Sequence, residues 1–173
     1  MVAWGKENVI LVKPDASFAE EIRSYREEML LAGSSMDGTG ALRRMENPLE
    51  WLRYNETMEH PETVPKDKVP ATQFVLTDTD TGRIYGMLQV RHDLNEYLRN
   101  FAGHIGYSVR PTERRKGYAK KMLKQALKIC RDELGMTRVM VSCLVEMRPA
   151  GEPFLPAAAC LKKKYTSILK MSG

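Results

Sequence analysis

Gly106-Tyr-Ser-Val109-Arg-Pro-Thr-Glu-Arg114-Arg-Lys-Gly117-Tyr-Ala119-Lys120 is the stretch on which the reading of the fold turns. Residues 104–109 have strand character, and helical periodicity begins directly after Gly117, with Ala119, Met122, Leu123, Ala126, Leu127 and Cys130 on one face. Between the two lies a short loop rich in backbone donors. The first N–H groups of a helix have no internal partner, and the helix dipole adds partial positive charge there. Strand, loop and helix in this order make a site for a pyrophosphate. Gly117 has no side chain to hold phosphate oxygens off the main chain. Ala119 keeps the helix start open, and Arg114, Arg115, Lys116 and Lys120 set cationic charge around it. The plain alternative for the same charges is a solvated, basic helix start.

Working outward, residues 8–12 read as an opening strand. Ser17 and Glu20 have capping-box spacing, and Ile22, Tyr25, Met29 and Leu30 recur at helical spacing until Gly33 stops the helix. Asn47-Pro48 supplies a cap and a first-turn proline for a second helix over 49–58. Prolines at 61, 65 and 70 make 60–69 a loop. The period then changes to two. Residues 72–77 and 83–90 read as strands joined by the turn formers of 78–82. A turn or helical bridge over 93–101 leads to the strand at 104–109, and after Gly135 residues 138–143 alternate as another strand. This order suggests an α/β domain, a mixed sheet with helices on its faces.

The chain has 173 residues, about one domain's worth, and its 43% apolar and 28% charged content is that of a soluble globular protein. No apolar run approaches the ~18 residues of a membrane span. Met-Val-Ala-Trp-Gly-Lys-Glu at the start lacks the features of a secretory signal, so a cytoplasmic location is expected. Cys130, Cys143 and Cys160 have neither metal spacing nor a nucleophile motif, and Cys130 reads as a small apolar residue on a helix face. His60, His92 and His104 share no ligand spacing, so no metal is expected. The net charge of +5 suggests nucleic acid, but 144–173 holds five Lys/Arg against two acids. The weakly basic remainder is a poor nucleic-acid footprint, and no such partner is expected.

Arg114-Arg-Lys-Gly117-Tyr-Ala119 fits the pattern Gln/Arg-x-x-Gly-x-Gly/Ala. In this the stretch resembles the acetyl-CoA signature of the GNAT superfamily of N-acetyltransferases. Neither the dinucleotide-binding Gly-x-Gly-x-x-Gly nor the P-loop ending is present. The resemblance runs in element order from about 71 to 143, with specific residues chiefly in 103–120. Arg91-His-Asp-Leu-Asn95 and Gly103-His-Ile-Gly-Tyr-Ser-Val-Arg-Pro111 look like one bacterial branch of the superfamily.

The resemblance implies a GNAT-like mixed, splayed sheet with helices on both faces, the thioester entering between two parting strands. The Val109 main chain would bind the pantetheine arm, and the amides of Arg115, Lys116, Gly117, Tyr118, Ala119 and Lys120 the pyrophosphate. Arg114 fills the first position of the signature. Acetyl-CoA would be the cosubstrate, with no metal. An acceptor amine would attack the acetyl carbonyl directly, without an acyl-enzyme, and must first lose a proton. His104 and Tyr107, on opposite faces of the strand before the signature, are the catalytic candidates, each with a structural role as the alternative. Glu113 reads as solvated. A small-molecule or peptide amine would sit against 34–70, with Trp51 and Tyr54 either touching it or simply packing. A homodimer is allowed, and no membrane partner is expected. The alternative function is a CoA-binding module without turnover.

The expected acetyltransferase domain covers 1–143. In the superfamily the strand at 138–143 is followed by an Asn-x-x-Ala-Ser-like helix and a final strand. Here Pro149, Pro153 and Pro156 forbid a regular helix through much of 144–173, which reads as an aberrant tail. Back-translated in the frame that starts within Glu146, the tail permits Asn, Glu, Ala and Ser in succession, and Gly-Gly across 157–159. Residues after about Cys143 therefore read as frame-shifted, with part of the expected site missing. Codons that force stops in the alternative frame would exclude this.

Overall fold

The computed structural model of the chain describes residues 8–145 and 163–170. Alternating segments form β1 (Val9–Val12), β2 (Ala71–Asp78), β3 (Ile84–Arg91), β4 (Ile105–Val109) and β5 (Arg138–Val145), and Lys163–Lys170 adds β6. The helical segments form α1 (Ala19–Leu31), α2 (Pro48–Met58) and α3 (Tyr118–Asp132). The α2 start follows its sequence: Asn47 accepts the Leu49 N–H at 2.9 Å and Pro48 sits in the first turn. The α1 start does not form the expected capping box. Asp15 accepts both the amide and the hydroxyl of Ser17, winding Ala16–Phe18 into a 3-10 turn, while Glu20 pairs with Arg23. A charged acceptor makes the stronger bonds, so it takes Ser17 from its expected role.

All six strands lie in one sheet in chain order, and neighbours are antiparallel except β4 and β5, which run parallel. On one face α3 packs Met122, Ala126 and Cys130 against Phe74, Leu76 and Leu88. On the other, α1 and α2 pack Tyr25, Met29 and Trp51 against Val75, Ile84 and Met87. Leu76 pairs with Gly86 and Thr77 with Ile84, so Tyr85 bulges out between them. The bulge resets the alternation and lets Ile84 and Met87 serve the same face. The result is a mixed α/β sheet with helices on both faces.

The splay is visible in the register. β3 pairs with β4 along the whole of β4, but β4 meets β5 only at Ile105↔Val141. Beyond that pair, β4 runs on to Val109 and β5 to Val145 without a shared register, so the two parallel strands part. Just before it, His104 N–H donates to Met140 O at 2.7 Å, and His104 Nδ1 accepts Met140 N–H at 2.9 Å. These two bonds staple the strands at the apex of the opening.

Arg110 locks the end of β4 to α1. Its side chain is 1% exposed, donates to Ile84 O, pairs with Glu21 at 3.0 Å and Glu28 at 3.2 Å, and lies over the Tyr25 ring. A cation so buried is tolerable only with partners of this quality. Residue 143, the expected domain end, falls inside β5, and β6 pairs antiparallel with β5. The prolines of the tail, Cys160 and the shifted-frame segment over 146–162 lie outside the described residues. Among the described residues no helix is long and apolar enough to cross a membrane.

Candidate functional site

Past the parting point the chain turns through a 3-10 segment, Pro111–Glu113, into α3, and a cavity of about 430 Å³ opens there. Seven of the eight expected cofactor residues line it, Lys116 being replaced by Glu113. Arg115 (φ +66°) and Gly117 (φ +84°) both take the left-handed conformation. For arginine that costs about 1–2 kcal/mol, which marks a loop held for a purpose. Lys121 N–H donates to Gly117 O at 3.1 Å as α3 begins, and the first-turn residues Tyr118, Ala119 and Lys120 line the cavity. Nothing lies within 4 Å of the position a Cβ on Gly117 would take. An anion can therefore reach the main chain at this point.

The side chains of the loop divide their work. Tyr118 is 4% exposed and stacks on Tyr85 at 4.6 Å, so only its amide is on offer. Tyr85 in turn donates to Asp78 at 2.8 Å, which anchors the start of α3 to the sheet. Arg114 donates from Nε to Val109 O at 3.2 Å and from Nη2 to Ser34 Oγ. It closes the loop back on the end of β4. Glu113, expected to be solvated, is instead half-buried and paired with Lys116 at 2.9 Å and Arg83 at 3.3 Å. Packing against Arg83 of the β2–β3 turn was not visible in local sequence. That pairing neutralises Lys116, and Arg114 and Arg115 remain as the exposed cations of the loop.

His104 and Tyr107 fall on either side of the parting point. Tyr107 is half-buried and packs against the α3-side core. His104 reaches to β5, where its Nδ1 accepts the Met140 amide, so the neutral ring carries its proton on Nε2. Burial lowers the His104 pKa, with Asp93 opposing and Arg91 adding to the fall, so the ring is neutral at pH 7. Cys130 is buried and its thiol is pushed up to about 11 by burial, the state of an inert core residue. Among the described residues no group of His, Cys, Asp and Glu could hold a metal.

A second cavity, of about 320 Å³, lies on the α1–α2 side of β4. The loop 35–44 makes most of it, with Gln89 and Arg91 of β3. This loop rests on the β4 backbone: a Cβ on Gly38 (φ +71°) would lie 2.2 Å from Gly106 O. Trp51 is wholly buried and its Nε1 donates to Thr39 O at 2.9 Å, so it packs under the loop rather than facing a ligand. Tyr54 is half-buried and is not part of this wall. Gln73 Nε2 donates to Gly38 O at 2.8 Å and Asn55 Nδ2 to Trp51 O at 2.9 Å. Asn55 Oδ1 and Gln73 Oε1 are buried without a hydrogen-bond partner among the described residues. The sequence reading missed Asn55, Gln73, Gln89 and Arg91. The available signal was a glutamine at the same face position of two neighbouring, largely buried strands, Gln73↔Gln89.

A family model described as the acetyltransferase (GNAT) family matches residues 41–153. Among solved structures, the chain is similar to a ribosomal-protein-S5-alanine acetyltransferase from Vibrio fischeri. That match has 16% identity and a TM-score of 0.61, covering 98% of this chain and 97% of the other. It is also similar to a dodecameric spermidine N-acetyltransferase from Vibrio cholerae (13% identity, TM-score 0.57, 95% of each chain). A third is a microcin C7 self-immunity acetyltransferase in complex with acetyl-CoA and AMP (15% identity, TM-score 0.56, 81% of this chain and 72% of the other). At such identities the likeness is one of fold. Among curated proteins none matches the chain by sequence.

Proposed function

The chain belongs to the acetyltransferase (GNAT) family, and from that premise we propose that it transfers the acetyl group of acetyl-CoA to an amine by direct attack. The observation that carries this reading is the parting of β4 and β5 beyond Ile105↔Val141, leading into the cavity at the start of α3. Its donor set suits a pyrophosphate: the amides of Arg115 to Lys120, the cations Arg114 and Arg115, and the open face of Gly117. Acetyl-CoA supplies the activated carbonyl. The Val109 main chain, at the edge of the opening, is the proposed rest for the pantetheine arm.

Cys130 is not a candidate acyl carrier, since its thiol is buried in the core and pushed up to about 11 by burial. His104 and Tyr107 stay as the proposed acid–base groups. His104 has its Nδ1 lone pair engaged by Met140, which favours a positioning role for it and leaves Tyr107 or solvent to move the proton. A cytoplasmic protein is proposed, since acetyl-CoA is the donor, and a homodimer is the proposed assembly, to be read by light scattering.

Titration calorimetry with acetyl-CoA, followed by a thiol-release assay across a panel of amines, tests the reading. Saturable binding with thiol release supports it. Binding without release of CoA to any amine favours the alternative, a CoA-binding module without turnover. A folded chain that ignores acetyl-CoA refutes both.

A further inference from the structure

The cavity on the α1–α2 side of β4 holds charge that the fold does not neutralise. Arg43, Arg44 and Arg91 face it, against the one carboxylate of Asp37. None of the three arginines forms an ion pair among the described residues. Arg91 is half-buried, and among the described residues its side chain's one hydrogen bond runs from Nη1 to Gly103 O at 3.1 Å. Burial holds its pKa below the ordinary value, and Asp37 and Tyr97 offset this only in part. A desolvated guanidinium with most of its N–H groups unspent is costly unless an anion meets it. Its planar fork matches a carboxylate or phosphate through two parallel bonds.

The same cavity offers an acceptor of the opposite sign. Asp37 lines it as its one carboxylate, and the Gln89 amide lies beside Gly40, its Nε2 3.2 Å from the point a Cβ there would occupy. An ammonium group finds in Asp37 a charged hydrogen-bond acceptor. The cavity also sits where an acceptor belongs. Gly38 packs on Gly106, the residue after the parting pair, and Arg91 Nη2 lies 3.1 Å from the place of a Gly106 Cβ.

We propose that the acceptor is a small amine that carries its own anionic group, a carboxylate or a phosphate. Arg91 and Arg44 hold the anion, and the amine end turns to Asp37. This inference rests on the acetyl-transfer reading of the same site. A cavity of about 320 Å³ suits a molecule of amino-acid or aminoalkyl-phosphate size.

The test uses the full chain, acetyl-CoA and matched amines. An α-amino acid is set against its amide and its decarboxylated amine, and an aminoalkyl phosphate against the corresponding amino alcohol. Thiol release gives kcat and KM, and calorimetry on CoA-saturated protein gives binding independently of turnover. The anionic member of one set should exceed its neutral or cationic counterparts in kcat/KM by about 100-fold, as two charge-assisted bonds allow. Which set responds tells carboxylate from phosphate. Arg91→Gln should raise KM for that amine about tenfold or more with little change in kcat. Arg44→Gln, at an exposed position, should shift KM the same way by less, and it serves if Arg91→Gln does not fold.

A preference for neutral or polycationic amines overturns the inference and leaves acetyl transfer standing. So does a fall in kcat that is equal for all amines in Arg91→Gln, which would assign Arg91 to the acetyl carbonyl. Anionic amines that bind through Arg91 without thiol release support the inference and refute transfer. Absence of both binding and turnover for every anionic amine also overturns the inference.

Discussion

The cavity at the start of α3 is made by one run of chain, residues 109–120, whereas the cavity against Gly106 joins the 35–44 loop to β3 and rests on α2 and β2. Each contains one of the two non-glycine residues with positive φ among the described residues, Arg115 in the first and Met36 (φ +57°) in the second. The strain serves different ends. At Arg115 it bends the loop in front of a helix, an arrangement any phosphate can use. At Met36 it folds a loop down onto β4, with Met36 buried, and shapes a wall of particular side chains. On the proposed reading, a backbone site built on helix geometry recognises the group all CoA thioesters share. A side-chain site gathered from the 35–44 loop and β3 is free to select one acceptor.

The two glycines that flank this contrast provide its strongest test. Gly38→Val should cost roughly 3 kcal/mol or more in stability, from the left-handed φ and the collision with the Gly106 carbonyl. Gly117→Val meets nothing and should cost only about 1–2 kcal/mol of stability. It should instead weaken acetyl-CoA binding about 10- to 100-fold, through the loss of a charge-assisted amide contact. Denaturant midpoints and calorimetry on both variants read the difference. Equal losses of stability would break the distinction between an open loop and a packed one.

Glycine replacements at the strained positions sharpen it. Met36→Gly removes a buried side chain from the α1–α2 core and should destabilise by about 2–3 kcal/mol despite the relief of strain. Arg115→Gly loses no packing, and the relief should leave stability unchanged or raised by up to about 1 kcal/mol. Thermal melts suffice. A stabilised Met36→Gly would mean that the 35–44 loop is held by strain alone.

The smallest effect concerns the tie between the two regions. Burial alone would raise the Glu28 pKa, but the Thr112 amide and hydroxyl and the Arg110 guanidinium outweigh it and leave it lowered. A carboxylate depressed in the folded state stabilises fully above its unfolded pKa of about 4.3 and loses that contribution as pH falls through the folded value. Glu28→Gln should therefore flatten the acid limb of the stability curve below about pH 4.5. An unchanged slope in acid denaturation would show that Thr112 and Arg110 are held without it.

Legibility in the sequence followed the distance over which each contact acts. Gly117, Ala119 and the amphipathic face of α3 sit within a few residues of one another, and the strand before them alternates, so the nucleotide side was readable as a unit. Asn47-Pro48 was readable for the same reason. The α1 start was not, because Asp15 and Ser17 compete for the same role and charge decides between them. Glu113 was misread because Arg83 comes to it from a turn 30 residues away. Trp51 had two local readings, and only its burial under Thr39 chose packing.

The sequence by itself determined the strand, loop and helix of the proposed cofactor site, the two faces of the sheet and the family likeness, since helix periodicity, strand alternation and a glycine spacing are short-range properties of the chain. Tertiary structure alone decided where β4 and β5 part, because Ile105↔Val141 joins residues brought together by a whole intervening helix. It also decided the acceptor wall. Gly38 meets Gly106 across 68 positions, and Gln73 stands beside Gln89 and Arg91 only once β2 and β3 have paired. Loop closure over such distances leaves no local periodicity to read, and so the residues proposed to choose an acceptor become visible only in the folded chain.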